Sequence, residues 1–87
     1  MKVSVYDTYV TNKAGKIMHF DILVPDVEKN IEQIYQYGKS YLKTKGQEGQ
    51  ELASKECTFC HIEEATSKVK DEITEKGFSI IEMENCN

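Results

Sequence analysis

The N-terminal part of the chain alternates polar and apolar side chains in two successive runs. The first run, Lys2 to Val10, is rich in valine and tyrosine, which favours a β-strand. The second run, Lys16 to Val24, repeats the alternation, with an apolar residue at every even position from Met18 onward. Thr11 to Gly15, between the two runs, contains asparagine and glycine, which accept the positive φ of a turn. The pattern predicts an N-terminal β-hairpin.

After the hairpin, apolar residues recur at helical spacing. Pro25 ends the second strand, and Asp26 is predicted to cap the helix that follows. The helix is predicted to run from about Val27 to Lys43 and to stop before Gly46. The segment from Glu51 to Glu56 is compatible with either a short edge strand or an extended approach to the cysteines that follow.

The C-terminal third predicts a second helix and a final strand. Four apolar residues at spacings of three, four and four indicate one helix face, and these are Ile62, Ala65, Val69 and Ile73. Gly77 is the predicted C-cap of this helix. Phe78 to Met83 is apolar on both faces, which predicts either a central strand or a strand with one face covered by a partner.

Together these elements give the order β-β-α-(β)-α-β. We therefore predict an α+β fold with two layers, in which two helices pack on one face of a small, mostly antiparallel sheet. The chain has 87 residues, so residues 1–87 are predicted to form a single domain. Cores of this size are sometimes supplemented by a metal, a disulfide or a second subunit, so a homodimer is one possible partner arrangement.

The charge balance disfavours two classes of partner. The formal net charge is −4, and all eleven basic residues are lysine. Nucleic-acid recognition depends on basic patches and on arginine, and anionic membranes also attract basic segments, so neither partner is expected. No export signal or transmembrane segment is apparent, which predicts a cytoplasmic protein with reduced thiols.

The residues that carry the most chemistry are Cys57-Thr58-Phe59-Cys60-His61. Cys-x-x-Cys-His is the signature of covalent haem attachment, but that reaction normally follows export. Cys57, Cys60 and His61 supply part of a zinc site, which His19 or Cys86 could complete. Thiol–disulfide chemistry is a further alternative, because the motif is predicted to precede a helix N-terminus, which lowers a thiol pKa.

The simplest interpretation of this motif is structural. Free cysteine is among the most buried residue types, so Cys57 and Cys60 are expected to pack under the second helix as small hydrophobes. A cysteine nucleophile with His61 as its base is not favoured, because side chains of neighbouring residues rarely converge. The sequence therefore predicts no catalytic residue and no required cofactor, with zinc as the alternative.

A second polar cluster is predicted on the hairpin. If Val10 pairs with Lys16, Asp7 lies across from His19, and Asp21 is a neighbour on the same face. A histidine beside two carboxylates suits an acid–base group, a metal site or a pH-sensitive contact, although a solvated sheet face is the commoner arrangement. A loop carrying the cysteine motif over the hairpin would join the two clusters.

Five segments in order along the chain form a distinctive set: Val5-Tyr6-Asp7-Thr8-Tyr9-Val10, Met18-His19-Phe20-Asp21-Ile22, Glu56-Cys57-Thr58-Phe59-Cys60-His61-Ile62-Glu63, Gly77-Phe78 and Cys86. In these segments the chain resembles a small bacterial family, the domain-of-unknown-function family number twenty twenty-four. The resemblance implies a compact α+β fold and a bacterial cytosolic setting, and it implies no activity. It also draws attention to the residues within those segments, which are Asp7, His19, Asp21, Cys57, Cys60 and His61.

The function predicted from the sequence is that of a small non-catalytic binding or regulatory domain. Its ligand, whether a small molecule or a protein, is left open. The alternative is a metal-binding or thiol-redox protein that uses Cys57 and Cys60.

Overall fold

A computed structural model describes all residues from Met1 to Asn87. It contains four strands and two helices, in the order ββαβαβ. The bounds are β1 Lys2–Thr11, β2 Ile17–Pro25, α1 Ile31–Thr44, β3 Cys57–Glu64, α2 Ser67–Lys76 and β4 Ser79–Glu84. The strands form one antiparallel sheet in the order β3-β1-β2-β4, which confirms the predicted α+β class.

The predicted hairpin is confirmed, and its turn is held by a side chain. The Asn12 side-chain oxygen accepts hydrogen bonds from the backbone N–H groups of Ala14 and Lys16, and Gly15 takes a positive φ of 84°. The register differs from the expected one by two residues, because Val10 pairs with Met18 rather than with Lys16. A shift of two leaves every side chain on its predicted face.

Helix α1 covers the face formed by the even-numbered residues of β1 and β2. Phe20 and Ile22 are fully buried there against Ile34 and Leu42 of the helix. Gly38 allows a close approach of the helix to its neighbours, since a Cβ at this position would lie 3.0 Å from a methyl carbon of Ile22 on β2 and 2.5 Å from one of Leu52 in the segment after α1. This face holds the larger part of the core.

The start of α1 lies four residues beyond the predicted one. Asn30 caps the helix, and its side-chain oxygen accepts hydrogen bonds from the N–H groups of Glu32 and Gln33. The predicted cap, Asp26, belongs to a turn closed by a hydrogen bond from the Glu28 N–H to the Pro25 carbonyl.

Helix α2 packs on the opposite face, against the odd-numbered residues at one end of the hairpin. Val69 and Ile73 of the helix bury Val3, Val5 and Leu23. The expectation that both helices share one face is therefore corrected. The reason is topological: α1 already occupies one face as it carries the chain from β2 to the far edge at β3, and α2 returns across the other face to β4.

The predicted start of the second helix is also corrected. Residues 57–64 form the edge strand β3, and α2 begins only after Thr66, whose side-chain oxygen accepts a hydrogen bond from the Val69 N–H. Ile62 is therefore on a strand rather than on the helix. Gly77 is confirmed as the C-cap, with a left-handed φ of 91°.

The final strand, β4, lies at an edge of the sheet and not in its centre. Its residues Ile81 and Met83 are exposed. That a partner covers one face of this strand, as it would in a homodimer, stays a prediction. Neither helix is both long and apolar enough to cross a membrane.

Candidate functional site

Part of the sheet face that α2 occupies is left uncovered and carries most of the polar residues singled out in the sequence. We call this part the open face and define it by Asp7, Tyr9, His19 and Asp21 of the hairpin, together with Cys60 and His61 of β3. Asp7 pairs directly with Asp21, and Tyr9 pairs with His19. The predicted register placed His19 directly opposite Asp7, whereas in the structure His19 is diagonal to Asp7.

Asp7, His19 and Asp21 come together as predicted. The Nε2 atom of His19 lies 3.8 Å from an oxygen of Asp7 and 3.9 Å from an oxygen of Asp21. The three donor atoms all lie within 4.8 Å of one another. This spacing is set by the backbone, because the three residues occupy adjacent positions on two paired central strands.

Two atoms of this cluster are buried without a hydrogen-bond partner. They are Nε2 of His19 and Oδ1 of Asp21. The Asp21 side chain is only 10% exposed, since its strand has neighbours on both sides. Buried polar atoms are nearly always hydrogen-bonded, so an unpaired imidazole nitrogen facing an unpaired carboxylate oxygen calls for an explanation.

The two carboxylates are unfavourable neighbours by themselves. Like charges directly opposite each other on paired strands destabilise a sheet. Burial raises the pKa of the Asp21 carboxyl to about 6, and the adjacent Asp7 carboxylate adds to the rise, whereas His19 opposes it. Without a cation beside it, Asp21 therefore holds a proton more readily than an ordinary aspartate does.

Tyr9 fixes the orientation of the histidine ring. The two rings are stacked, with their centroids 4.2 Å apart and their planes 13° from parallel. Because Tyr9 covers one side of the imidazole, the ring edge that carries Nε2 is held towards Asp7 and Asp21.

The edge strand β3 brings Cys60 and His61 to the same face. A shift of register between Val5 and Tyr6 of β1 leaves Cys60 as an extra residue, so that Val5 pairs with His61 and Tyr6 with Phe59. Such a bulge re-aims side chains. The Cys60 sulphur lies 3.1 Å from Nδ1 of His61, although neighbouring side chains were not expected to converge.

Cys60 also adjoins the carboxylates of the open face. Desolvation raises the pKa of its thiol, and so do the charge and hydrogen bond of Asp7 and the charges of Asp21 and Glu63. The predicted lowering of a thiol pKa by a helix N-terminus is wrong, because the motif lies on a strand.

Cys57 does not join this group. Its thiol is buried on the α1 side of the sheet, where burial raises its pKa. Residues three apart on a strand are separated by roughly 10 Å, beyond the reach of a disulfide. The structure thus separates Cys57 and Cys60, which the sequence had grouped as one metal or redox pair. Cys86 is buried with the α1-side core, and its thiol donates to the His19 carbonyl.

Glu63 was missed as a candidate residue. Its Oε1 lies 2.7 Å from Nε2 of His61. A helix was predicted over this segment, whereas on the observed strand His61 and Glu63 are two residues apart and share a face. The β-branched and aromatic residues of this segment, Thr58, Phe59 and Ile62, were the signal that favoured a strand.

The chemistry available on the open face is that of cation coordination. One imidazole and two carboxylates converge there, with a thiol alongside, and such side chains are common metal ligands. Ligand atoms 2.0–2.1 Å from a tetrahedral zinc ion lie about 3.4 Å apart, so the His19–carboxylate distances need to shorten by only about half an ångström.

Comparisons with known proteins agree on the family and the fold. Residues 1–83 match a family described as Domain of unknown function (DUF2024). The NMR structure of protein NE1680 from Nitrosomonas europaea, a Northeast Structural Genomics Consortium target, is 41% identical in sequence. It superposes with a TM-score of 0.85, and the match covers 100% of both chains. No match was found among curated proteins.

Proposed function

The chain belongs to the family described as Domain of unknown function (DUF2024), and from that premise we propose that it is a small non-catalytic binding domain for a divalent transition-metal cation. The cation is held on the open face by Asp7, His19 and Asp21. This proposal joins two predictions made from the sequence, a binding domain and a metal protein, but it moves the ligands from the cysteine pair to the hairpin.

One observation carries the proposal. The Nε2 atom of His19 and the Oδ1 atom of Asp21 face each other in a buried position, and neither has a hydrogen-bond partner. A buried unpaired polar group costs about 1–3 kcal/mol, and two in contact with a second carboxylate cost more. A cation between them satisfies both atoms and offsets the repulsion between Asp7 and Asp21.

The surroundings of the site favour binding over catalysis. Two surface clefts lie elsewhere: one borders α1 and the loop after it, and the other lies between the two helices and β4. None of the three proposed ligands lines either cleft. Enzyme sites for small substrates are usually concave, whereas these ligands lie on an uncovered sheet face.

The test is zinc binding by isothermal titration calorimetry, on protein purified without a metal-affinity resin and treated with chelator. We expect one zinc ion per chain, and we expect Asp21→Asn to abolish saturable binding because it removes the buried anionic ligand. The matched control is Asp71→Asn, an exposed aspartate on α2, which should bind as the unchanged protein does.

The same samples give an independent readout. Zinc at one hundred times its dissociation constant should raise the free energy of unfolding of the unchanged protein by about 2.7 kcal/mol, and should leave Asp21→Asn unaffected. If the unchanged protein shows no saturable binding, or if Asp21→Asn binds as tightly, the proposed function is wrong.

A further inference from the structure

We infer that the thiolate of Cys60 is the fourth ligand of this cation, so that the site is a sulphur-containing tetrahedral site of the zinc class. This inference rests on the proposed function and deepens it, because Asp7, His19 and Asp21 alone do not decide which cation is bound. Carboxylates also suit magnesium, calcium and manganese, whereas a thiolate selects softer ions such as zinc.

The β-bulge is the feature that makes Cys60 available. In a regular strand, Cys60 and His61 would point to opposite faces of the sheet. The register shift places Cys60 as an extra residue beside His61, on the face that carries Asp7. The thiol is exposed, and the carboxylates of Asp7 and Asp21 lie close enough for their charges to act on it.

Four donors complete a coordination sphere that three leave open. Structural zinc sites are almost always tetrahedral, with four protein ligands. The hairpin supplies one nitrogen and two carboxylate oxygens, and β3 supplies the sulphur. Asp7 lies between the two groups, since its strand β1 pairs with β2 on one side and with β3 on the other.

His61 acts as a positioning residue for the thiol. Its Nε2 atom lies 2.7 Å from Glu63, which favours the tautomer with the proton on Nε2. The lone pair of Nδ1 then faces the Cys60 sulphur at 3.1 Å. When the sulphur binds the cation, the S–H bond breaks, its electron pair forms the sulphur–metal bond, and the proton passes to His61 and on to solvent.

The test is absorption spectroscopy of the cobalt(II) form of the full chain. Cobalt(II) replaces zinc in such sites, and a cobalt–thiolate bond gives a sulphur-to-metal charge-transfer band in the near ultraviolet. We expect the unchanged protein to show this band and Cys60→Ser to lose it. The zinc affinity of Cys60→Ser should fall by at least the 10–100-fold that loss of an outer hydrogen-bond partner typically costs.

Two further variants serve as a control and as a test of positioning. Cys57→Ser removes the thiol buried on the other side of the sheet, and its cobalt form should keep the band. His61→Gln should keep the band but weaken cobalt binding, because it removes the side chain that holds the Cys60 sulphur without removing a ligand. Circular dichroism checks that each variant is folded, and Cys60→Ala provides a second test of the same ligand.

The outcomes separate this inference from the proposed function. Cobalt binding with a band that Cys60→Ser removes and Cys57→Ser retains supports the inference. Cobalt binding without a charge-transfer band, or with a band that survives in Cys60→Ser, overturns the fourth ligand and leaves the hairpin site intact. Absence of cobalt and zinc binding by the unchanged protein overturns both.

Discussion

The two faces of the central hairpin are built from alternate residues of the same two strands and differ in almost every property. The even-numbered face is closed by α1 and packed with fully buried apolar side chains such as Phe20. The odd-numbered face has buried apolar residues only where α2 crosses it, at Val3, Val5 and Leu23. Beyond α2 it carries the open face with its carboxylates.

On the proposed function, this difference places the stabilising core and the binding site on opposite faces of the same two strands. The covered face can be dry because no polar group there has to meet a ligand. On the open face, the Oδ1 atom of Asp21 and the Nε2 atom of His19 are buried without a hydrogen-bond partner. Functional sites are where proteins tolerate such local conflicts, and the packing on the other face of the same strands supplies the stability that makes this possible.

The largest expected effect comes from breaking the covered face. Phe20→Ala removes a fully buried ring that packs on Tyr41 with centroids 4.6 Å apart, and should cost about 3–5 kcal/mol in the free energy of unfolding. A domain of this size has only about 4–13 kcal/mol in total, so urea denaturation should show a protein at the limit of folding.

The matched change on the open face is Tyr9→Ala, which removes a half-exposed ring from the same hairpin. Its loss should cost about 1 kcal/mol or less, mainly from the stacking on His19. Equal losses from both variants would contradict the division of roles between the two faces.

An intermediate effect of opposite sign is expected from the open face itself. In metal-free protein at pH 7, Asp21→Asn should raise the free energy of unfolding by about 1–2 kcal/mol, because it removes a desolvated charge. The pKa of Asp21 is raised from 3.8 to about 6. Each pH unit of such a shift corresponds to about 1.4 kcal/mol, reduced here by partial solvent screening.

The contribution of Asp21 to the free energy of unfolding depends on pH, and the direction of that dependence tests the prediction. Because the pKa of Asp21 is higher in the folded than in the unfolded state, its contribution to stability is fully present below about pH 4 and is lost as the pH rises through about 6. In the presence of chelator, the unfolding curves of the unchanged protein and of Asp21→Asn should therefore coincide near pH 4 and differ at pH 7. A less stable Asp21→Asn protein at pH 7 would show that the carboxylate is satisfied within the fold.

A further small effect concerns the helix that closes the covered face. Asn30→Ala removes the side-chain cap of α1 and should cost about 1 kcal/mol, measured as a lower urea midpoint. Asp26→Ala, at the position where the sequence predicted the cap, should change the free energy of unfolding by less than about 0.5 kcal/mol. A larger loss of stability from Asp26→Ala than from Asn30→Ala would show that the helix begins where the sequence predicted.

Much of the fold could be predicted because it depends on local pattern. The alternation along β1 and β2 specified a hairpin, and the prediction that Asp7, His19 and Asp21 share a face survived a register error of two residues because side chains alternate with a period of two. Apolar residues at helical spacing identified both helices, although Asn30 and Thr66, which cap them, were not recognised as the starts.

The segment from Cys57 to Glu64 could not be predicted in the same way. Its residues fit a helix by spacing and a strand by composition, and pairing with β1 along the edge of the sheet decided for the strand. That pairing, over a long separation in sequence, also creates the bulge at Cys60. Spacing along the chain cannot reveal a bulge, because it arises from how two distant strands fit together.

The sequence by itself therefore determined the hairpin, the α+β class and the composition of the hairpin part of the open face, since each depends on residues close together in the chain. Only the tertiary structure decided that Cys57 faces the α1-side core while Cys60 and His61 join Asp7 and Asp21. The physical reason is that a strand sends its side chains to two faces, and only its packed neighbours determine which face is closed and which remains open.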